Sequence, residues 1–239
     1  MLDRLKRLQQ LRGALAKSEG HDAGFDARLK EVKVWQQQRL ARSYADLSAD
    51  DRYAPAVAFF LGELYGIKDS TIRDRDLVRM YPTMKRLLPK FAFEAVTMAL
   101  ELDVLAEEFD QALTVALDSQ PLTEANYIKA FRAVGRREDR LRQVVLMRAV
   151  GEGLDRMVQK PLIFSTLKML RGPAKLAGLG EMQQFLEAGF KAFHHMAGAE
   201  YFLTTIAGRE KVLIERILDG VQAPFSVTKD WRVKSQTQA

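Results

Sequence analysis

The chain has 239 residues, 47% hydrophobic and 28% charged, proportions of a folded globular protein that exclude a disordered or low-complexity polypeptide. A formal charge of +6 permits an anionic partner, while the complete lack of cysteine excludes disulfides, thiolate metal sites and cysteine nucleophiles and points to a reducing compartment. No apolar run approaches the roughly 20 residues that span a bilayer, and charges break up the first residues where a signal peptide needs a continuous core, so a cytoplasmic location is expected.

Leu5, Leu8, Leu11 and Leu15 recur at helical spacing among Lys and Arg, which predicts an opening amphipathic helix broken by Gly20 and Gly24. A second helix is predicted from about Asp26 to about Leu47, with Leu29, Val32, Leu40 and Tyr44 near one side and Arg28, Gln36, Gln37, Arg39 and Arg42 on the other. The pair reads as a basic helical hairpin over 1–50, ahead of a main helical bundle at 51–220 and a polar tail or strap at 221–239.

The stretch from Pro55 to Gly66, PAVAFFLGELYG, is apolar nearly all round when wound as a helix and therefore predicts a buried one. A charge-rich stretch over 67–79 follows, and Pro82 and Pro89 bracket a short helix. The longest helix signal runs from Lys90 to about Leu117. Phe91, Ala95, Met98, Leu102, Leu105, Phe109, Leu113 and Ala116 form one apolar face there, and Phe93, Val96, Leu100 and Val104 form another, so this helix is expected at the centre with neighbours on both sides. Further helices are predicted over 125–134 behind Thr123, over 136–158, over 162–170 and over 181–197, the last carrying Met182, Leu186, Phe190 and Phe193. Beyond Gly198 the pattern resumes with Phe202, Ile206, Leu213 and Ile217. No strand-like alternation of useful length and no internal repeat occurs, so the predicted fold is all-α, a single multi-helix bundle.

Chemistry-bearing residues are sparse. Glu63 lies in an otherwise apolar helix, where an isolated carboxylate costs more than a fold can supply. A pair with Arg73, Arg75 or Arg79, or a cap on a neighbouring helix end, is the favoured reading, and a metal or catalytic role is the alternative. Glu94, Glu101 and Glu108, seven apart, form a stripe between the two apolar faces of the central helix, the geometry of carboxylate-bridged metal sites in bundles. The partner motif Glu-x-x-His is absent, which favours a solvated or salt-bridged stripe. Adjacent helical residues point about 100° apart, so only one of His194 and His195 can face the core; His194, at the border of the Phe190 and Phe193 face, is the candidate haem or metal ligand, against the commoner reading of a polar edge residue. Glu210, beside Arg209, is an acid inside an apolar stripe, and a network that fixes helix register is favoured over a pocket floor.

The candidate metal set is therefore Glu63, Glu101, Glu108, His194 and Glu210. Arg132, Arg136, Arg137 and Arg140, joined by Arg142, form a candidate anion-binding set, against a simpler reading as solvated cations at helix ends. Lys160, Lys168, Arg171 and Lys175 surround the apolar LIFSTLKML, a combination suited to a membrane surface or a partner. No phosphate-cradling glycine loop, nucleophile elbow, zinc-protease motif or dinucleotide fingerprint is present.

FFLGELYG, the following RDRDLVRMYPTMKRLLP and the late FLEAGFKAFHHMAGAEYFLTTIAGRE resemble a bacterial family of uncharacterised helical proteins known as conserved hypothetical sequences, over 53–218. The resemblance implies a bacterial cytoplasmic protein and transfers no activity and no site residues. The expected function is that of a non-enzymatic helical interaction protein, self-associating as a homo-oligomer or binding a protein partner, with no cofactor. A metal- or haem-binding enzyme and a nucleic-acid binder are the alternatives.

Overall fold

The computed structural model describes residues 10, 23–64, 90–169, 171–176 and 180–226. The expected opening helix, the stretch over 67–79, the helix between Pro82 and Pro89 and Trp231 lie outside these residues. Ten α-helices follow in order: α1 Ala23–Ser43, α2 Ala45–Ser48, α3 Ala54–Phe59, α4 Lys90–Leu117, α5 Glu124–Val134, α6 Arg137–Val158, α7 Pro161–Met169, α8 Arg171–Leu176, α9 Gly180–Met196 and α10 Glu200–Leu218. A π-helical turn, Phe60–Leu64, continues α3. Among the described residues there is no strand, and the fold is all-α. None of the described helices is long and apolar enough to cross a membrane.

Local chemistry sets the ends. Pro55 sits in the first turn of α3, where its missing N–H leaves no bond unmade. Thr123 caps α5, its Oγ1 accepting from the Asn126 N–H at 3.2 Å. The α5–α6 corner runs through Gly135 and Arg136, at φ of +60° and +56°, and the α9–α10 corner through Ala197 and Gly198, at +51° and +111°. Gly198 lies where a side chain is strongly disfavoured, so this corner needs its glycine.

Helix α4 packs against α1, α5 and α6, and Ala95, Leu100, Val104, Phe109, Leu113 and Leu117 are buried on it; Ala116, read onto the first apolar face, is exposed, and Leu117, one residue on and nearer in angle to Leu113, is buried in its place. Helix α6 is the second hub, touching α4, α9 and α10. Its sequence contains Gly151-Glu152-Gly153 in mid-helix, at a cost of about 1 kcal/mol per glycine relative to alanine. The reason is close approach. A Cβ at Gly151 would lie 2.3 Å from Leu203 Cδ2, and one at Gly153 would lie 2.6 Å from Ala95 Cβ.

Two apolar clusters result. The first joins Leu40, Tyr44 and Leu47 with Phe59, Phe60, Met147, Phe193, Phe202 and Ile206. The second joins Val32, Leu113, Leu117, Tyr127, Phe131, Leu213 and Ile217. Helices α1 and α10 run through both, so each must carry an apolar section at either end. Part of the face of α1 read as basic is turned inward instead: Gln36, Gln37 and Arg39 bond to α4, to the π-helical turn and to α10, while Arg42 is exposed. After α10 the chain turns back at 221–226, and Phe225 meets Trp35 and Tyr127 with ring centroids 5.8 and 6.2 Å apart.

Candidate functional site: a polar layer between two apolar clusters

Along α10, Phe202, Leu203 and Ile206 belong to the first cluster and Leu213, Ile214 and Ile217 to the second, with Arg209 and Glu210 between them. Along α1, Val32 belongs to the second cluster and Leu40 to the first, with Gln36 and Arg39 between. The layer is therefore built by interrupting the apolar stripe of each helix by about one turn. Arg39 meets Glu210 through two bonds, Nη1 to Oε1 at 2.5 Å and Nη2 to Oε2 at 3.0 Å, and the Tyr44 hydroxyl donates to Oε1 at 2.6 Å. Burial alone would lower the Arg39 value; the charge and hydrogen bonds of Glu210 overcome this and hold the guanidinium above its ordinary range. On the adjacent position, Arg209 holds Asp46 with two bonds, at 2.8 and 2.6 Å, and also donates to the Ser43 carbonyl at 2.8 Å.

A second strand of the layer crosses α1, α4 and α5. The Tyr127 hydroxyl donates to Gln36 Oε1 at 3.1 Å, and Gln36 Nε2 donates to Asp110 Oδ1 at 2.6 Å. Lys33 pairs with Glu107 at 2.7 Å beside them. Burial pushes Tyr127 up to about 12 and Asp110 up to about 6; for Asp110, the Gln36 hydrogen bond and the Lys33 charge oppose burial without reversing it, while Glu107 adds to it. Arg140 is a further buried cation. Its guanidinium sits 4.1 Å from the Phe109 ring centre and 3.4 Å from that of Phe131, and Nε donates to the Gly135 carbonyl at 2.9 Å. Burial lowers it to about 10, so it stays charged at neutral pH.

Asp110 makes the layer sensitive to acid. Its folded value lies above the 3.8 of an ordinary aspartate, so the folded state holds the proton more tightly than the unfolded chain does. Stability therefore falls as pH rises from about 4 to about 6 and then levels. Asp110→Asn keeps the acceptor for Gln36 and removes the titration. Its unfolding free energy, followed by urea denaturation, is expected to equal that of the wild type near pH 4 and to exceed it by up to about 3 kcal/mol at pH 7. A wild-type minus variant difference that does not change with pH would contradict the assignment.

The members of the candidate metal set are dispersed. Glu101 bonds to Arg142, whose Nε donates at 2.8 Å, and Glu108 bonds to Arg136 at 3.0 Å, while Glu210 belongs to Arg39 and Tyr44. His194 is exposed at the end of α9 with its ring against Phe190, and His195 Nε2 lies 2.9 Å from the Asp51 carbonyl oxygen. Glu63 lies on the π-helical turn, and its side chain is outside the described residues. Among the described residues, no group of three or more histidine or carboxylate side chains is placed to hold a metal ion.

The arginines of the candidate anion set are engaged within the fold. Arg132 Nε donates to the Ile217 carbonyl at 2.5 Å, Arg136 holds Glu108 and Asp139, Arg137 holds Asp219, and Arg140 holds Gly135 and two rings. Arg52, which sequence reasoning passed over, belongs with them. It donates to the carbonyls of Met196 at 2.7 Å and Ala197 at 3.1 Å, closing the end of α9. Arg209 at Ser43, Arg140 at Gly135, Arg52 at Met196 and Arg132 at Ile217 thus satisfy the carbonyl ends of α1, α5, α9 and α10. The free carbonyls and partial negative charge of a helix C-terminus attract cations, which is the physical use of this basic composition.

One opening lies beside the layer and another away from it. A cavity of about 10 Å³ beside Tyr44, lined by Leu40, Val57, Phe60 and Ile206, has room for one water at most. An open groove of about 690 Å³ between α3 and α9 is lined by Pro55, Ala58, Phe59, Lys191 and His195. Neither is lined by a member of the candidate metal set.

The model of a family described as a domain of unknown function (DUF8198) matches residues 15–224. No curated protein and no solved structure matches the chain.

Proposed function

The chain belongs to the family described as a domain of unknown function (DUF8198), and from that premise we propose a non-enzymatic interaction protein of the bacterial cytoplasm, which acts through the outer faces of its helical bundle and self-associates as a homo-oligomer. The observation that carries this reading is the engagement of the interior charges. Glu210 is saturated by Arg39 and Tyr44, and Asp46 by Arg209, so these groups hold helices in register and are not available to a substrate. Apolar side chains meanwhile stand outside: Leu162 and Met169 are 77% and 79% exposed, and Val115 and Val145 are 69% and 66% exposed. Exposed apolar side chains of this kind supply contact surface.

Sedimentation equilibrium over a wide concentration range tests the reading. A mass that rises above 27.1 kDa toward an integral multiple is the expected result. A strict monomer, or stoichiometric iron or manganese retained by protein made without a chelating tag and lost on changing Glu210, would overturn it.

A further inference from the structure

Residues 160–180 contain four basic residues and no Asp or Glu, in a chain with 31 acids. That segment alone carries two thirds of the formal charge of +6. It forms α7 and α8 at the edge of the bundle. The inner side of α7 is well anchored: Phe164 stacks on Phe190 at 4.7 Å and 10°, and the Leu167 carbonyl accepts from Gln183 at 2.6 Å. Arg171 is held by Glu187. Lys168 lies over the Phe164 ring, its Nζ 4.3 Å from the ring centre, and remains exposed at the border of the outer side. Leu162 and Met169, seven residues apart, share one helical face separated by about 10 Å along the axis, and both are more than three-quarters exposed. Lys160, Lys168 and Lys175 are exposed around them.

We propose that the outer face of α7 and α8 docks on an anionic membrane surface, Leu162 and Met169 entering the headgroup boundary and Lys160, Lys168 and Lys175 meeting the lipid phosphates. Two exposed apolar side chains on a short helix match the shallow insertion of an interfacial helix, and a segment without acids of its own, whose three lysines are left exposed while Arg171 is held by Glu187, matches a negatively charged plane better than it matches a protein surface of mixed sign. Each lysine near such a surface adds attraction that salt screens. A second copy of this chain is a poorer occupant, because a two-fold contact would bring the two acid-free segments against each other. The inference rests on the proposed function in that the protein acts by surface contact, and it names the partner of one face.

Flotation of the full chain with vesicles tests it. Binding is expected to vesicles of equal parts phosphatidylglycerol and phosphatidylcholine, not to phosphatidylcholine alone, and to vanish as the Debye length shrinks from about 30 Å at 0.01 M salt to about 3 Å at 1 M. The double substitution Leu162→Asn with Met169→Asn is expected to lower the partition coefficient at least about tenfold. Val145→Asn, on the exposed side of α6, leaves it unchanged. Circular dichroism checks that each variant is folded. No binding to the mixed vesicles, or binding that survives the double substitution, overturns the proposal. Sedimentation of the same proteins without vesicles separates it from self-association. An oligomer lost in the double variant would show that a second copy covers this face and overturn the membrane assignment alone, while a wild type that binds vesicles as a strict monomer would overturn self-association alone.

Discussion

Glu210→Ala lowers the free energy of unfolding by about 3 to 5 kcal/mol, the largest single-residue effect expected among the charged groups. The Arg39 and Glu210 side chains are 11% and 14% exposed, so the pair has little water to fall back on. Removing the carboxylate leaves the guanidinium unpaired between α1, α4 and α10, and takes the acceptor from Tyr44 as well. The cost comes mainly from the stranded charge and only partly from the lost attraction. Two further variants separate these terms. Glu210→Gln keeps an acceptor for Tyr44 and is expected to cost less, and the double change Arg39→Met with Glu210→Leu is expected to recover most of the loss, because neither charge then remains to be desolvated. Urea denaturation of the four proteins supplies the comparison. A loss below about 1 kcal/mol in Glu210→Ala would mean that the pair does not anchor the layer.

Gly153→Val is expected to cost about 3 kcal/mol or more, although valine is the better helix former. Any Cβ at this position falls 2.6 Å from Ala95 Cβ and 3.8 Å from Ala95 Cα. The obstacle is fixed to the backbone of α4 and cannot rotate away, so α4 and α6 must separate along a crossing that both apolar clusters depend on. Gly153→Ala sets a gain of about 1 kcal/mol in helix propensity against overpacking of about 1 to 3 kcal/mol, and a net loss is expected. Ala95→Gly should then rescue Gly153→Ala, since it removes the atom that the new methyl meets. The coupling between the two sites, read from thermal or urea unfolding, is the measurement. Additive effects would show that the helices do not approach here as described.

The helices were legible because their signals are local: Phe109 and Leu113 on α4, or Leu213 and Ile217 on α10, recur at helical spacing and are buried. The N-cap at Thr123 and the stop at Gly198 were legible for the same reason. The role of Glu210 as a member of a network was favoured from its setting in an apolar stripe. Its partner was not legible, because Arg39 lies 171 positions away and no local rule links them. The arginines from 132 to 142 looked like a cluster because they are near in sequence, but they leave their corner in different directions, to α10, α4 and the end of α5. Gly151 and Gly153 were a signal left unread: two glycines one residue apart inside a strong helix mark a face where another backbone approaches. Asp110 had no usable signal, since a single acid among several on α4 is inward or outward only by the path of α1 across it.

The amino-acid sequence by itself determined that the fold is all-α, most of the positions that α4 and α10 bury among the described residues, and that a few charges must find partners inside. Short-range spacing and the cost of an unpaired buried charge are properties of a segment and need no neighbour to define them. Only the tertiary structure decided which charges meet, that the face of α1 bearing Gln36 and Arg39 turns inward, and that arginines close four helix ends. Those choices depend on how helices cross. Crossing is set by bulk and by glycines summed over many residues far apart in the chain, and a one-dimensional pattern does not carry that sum.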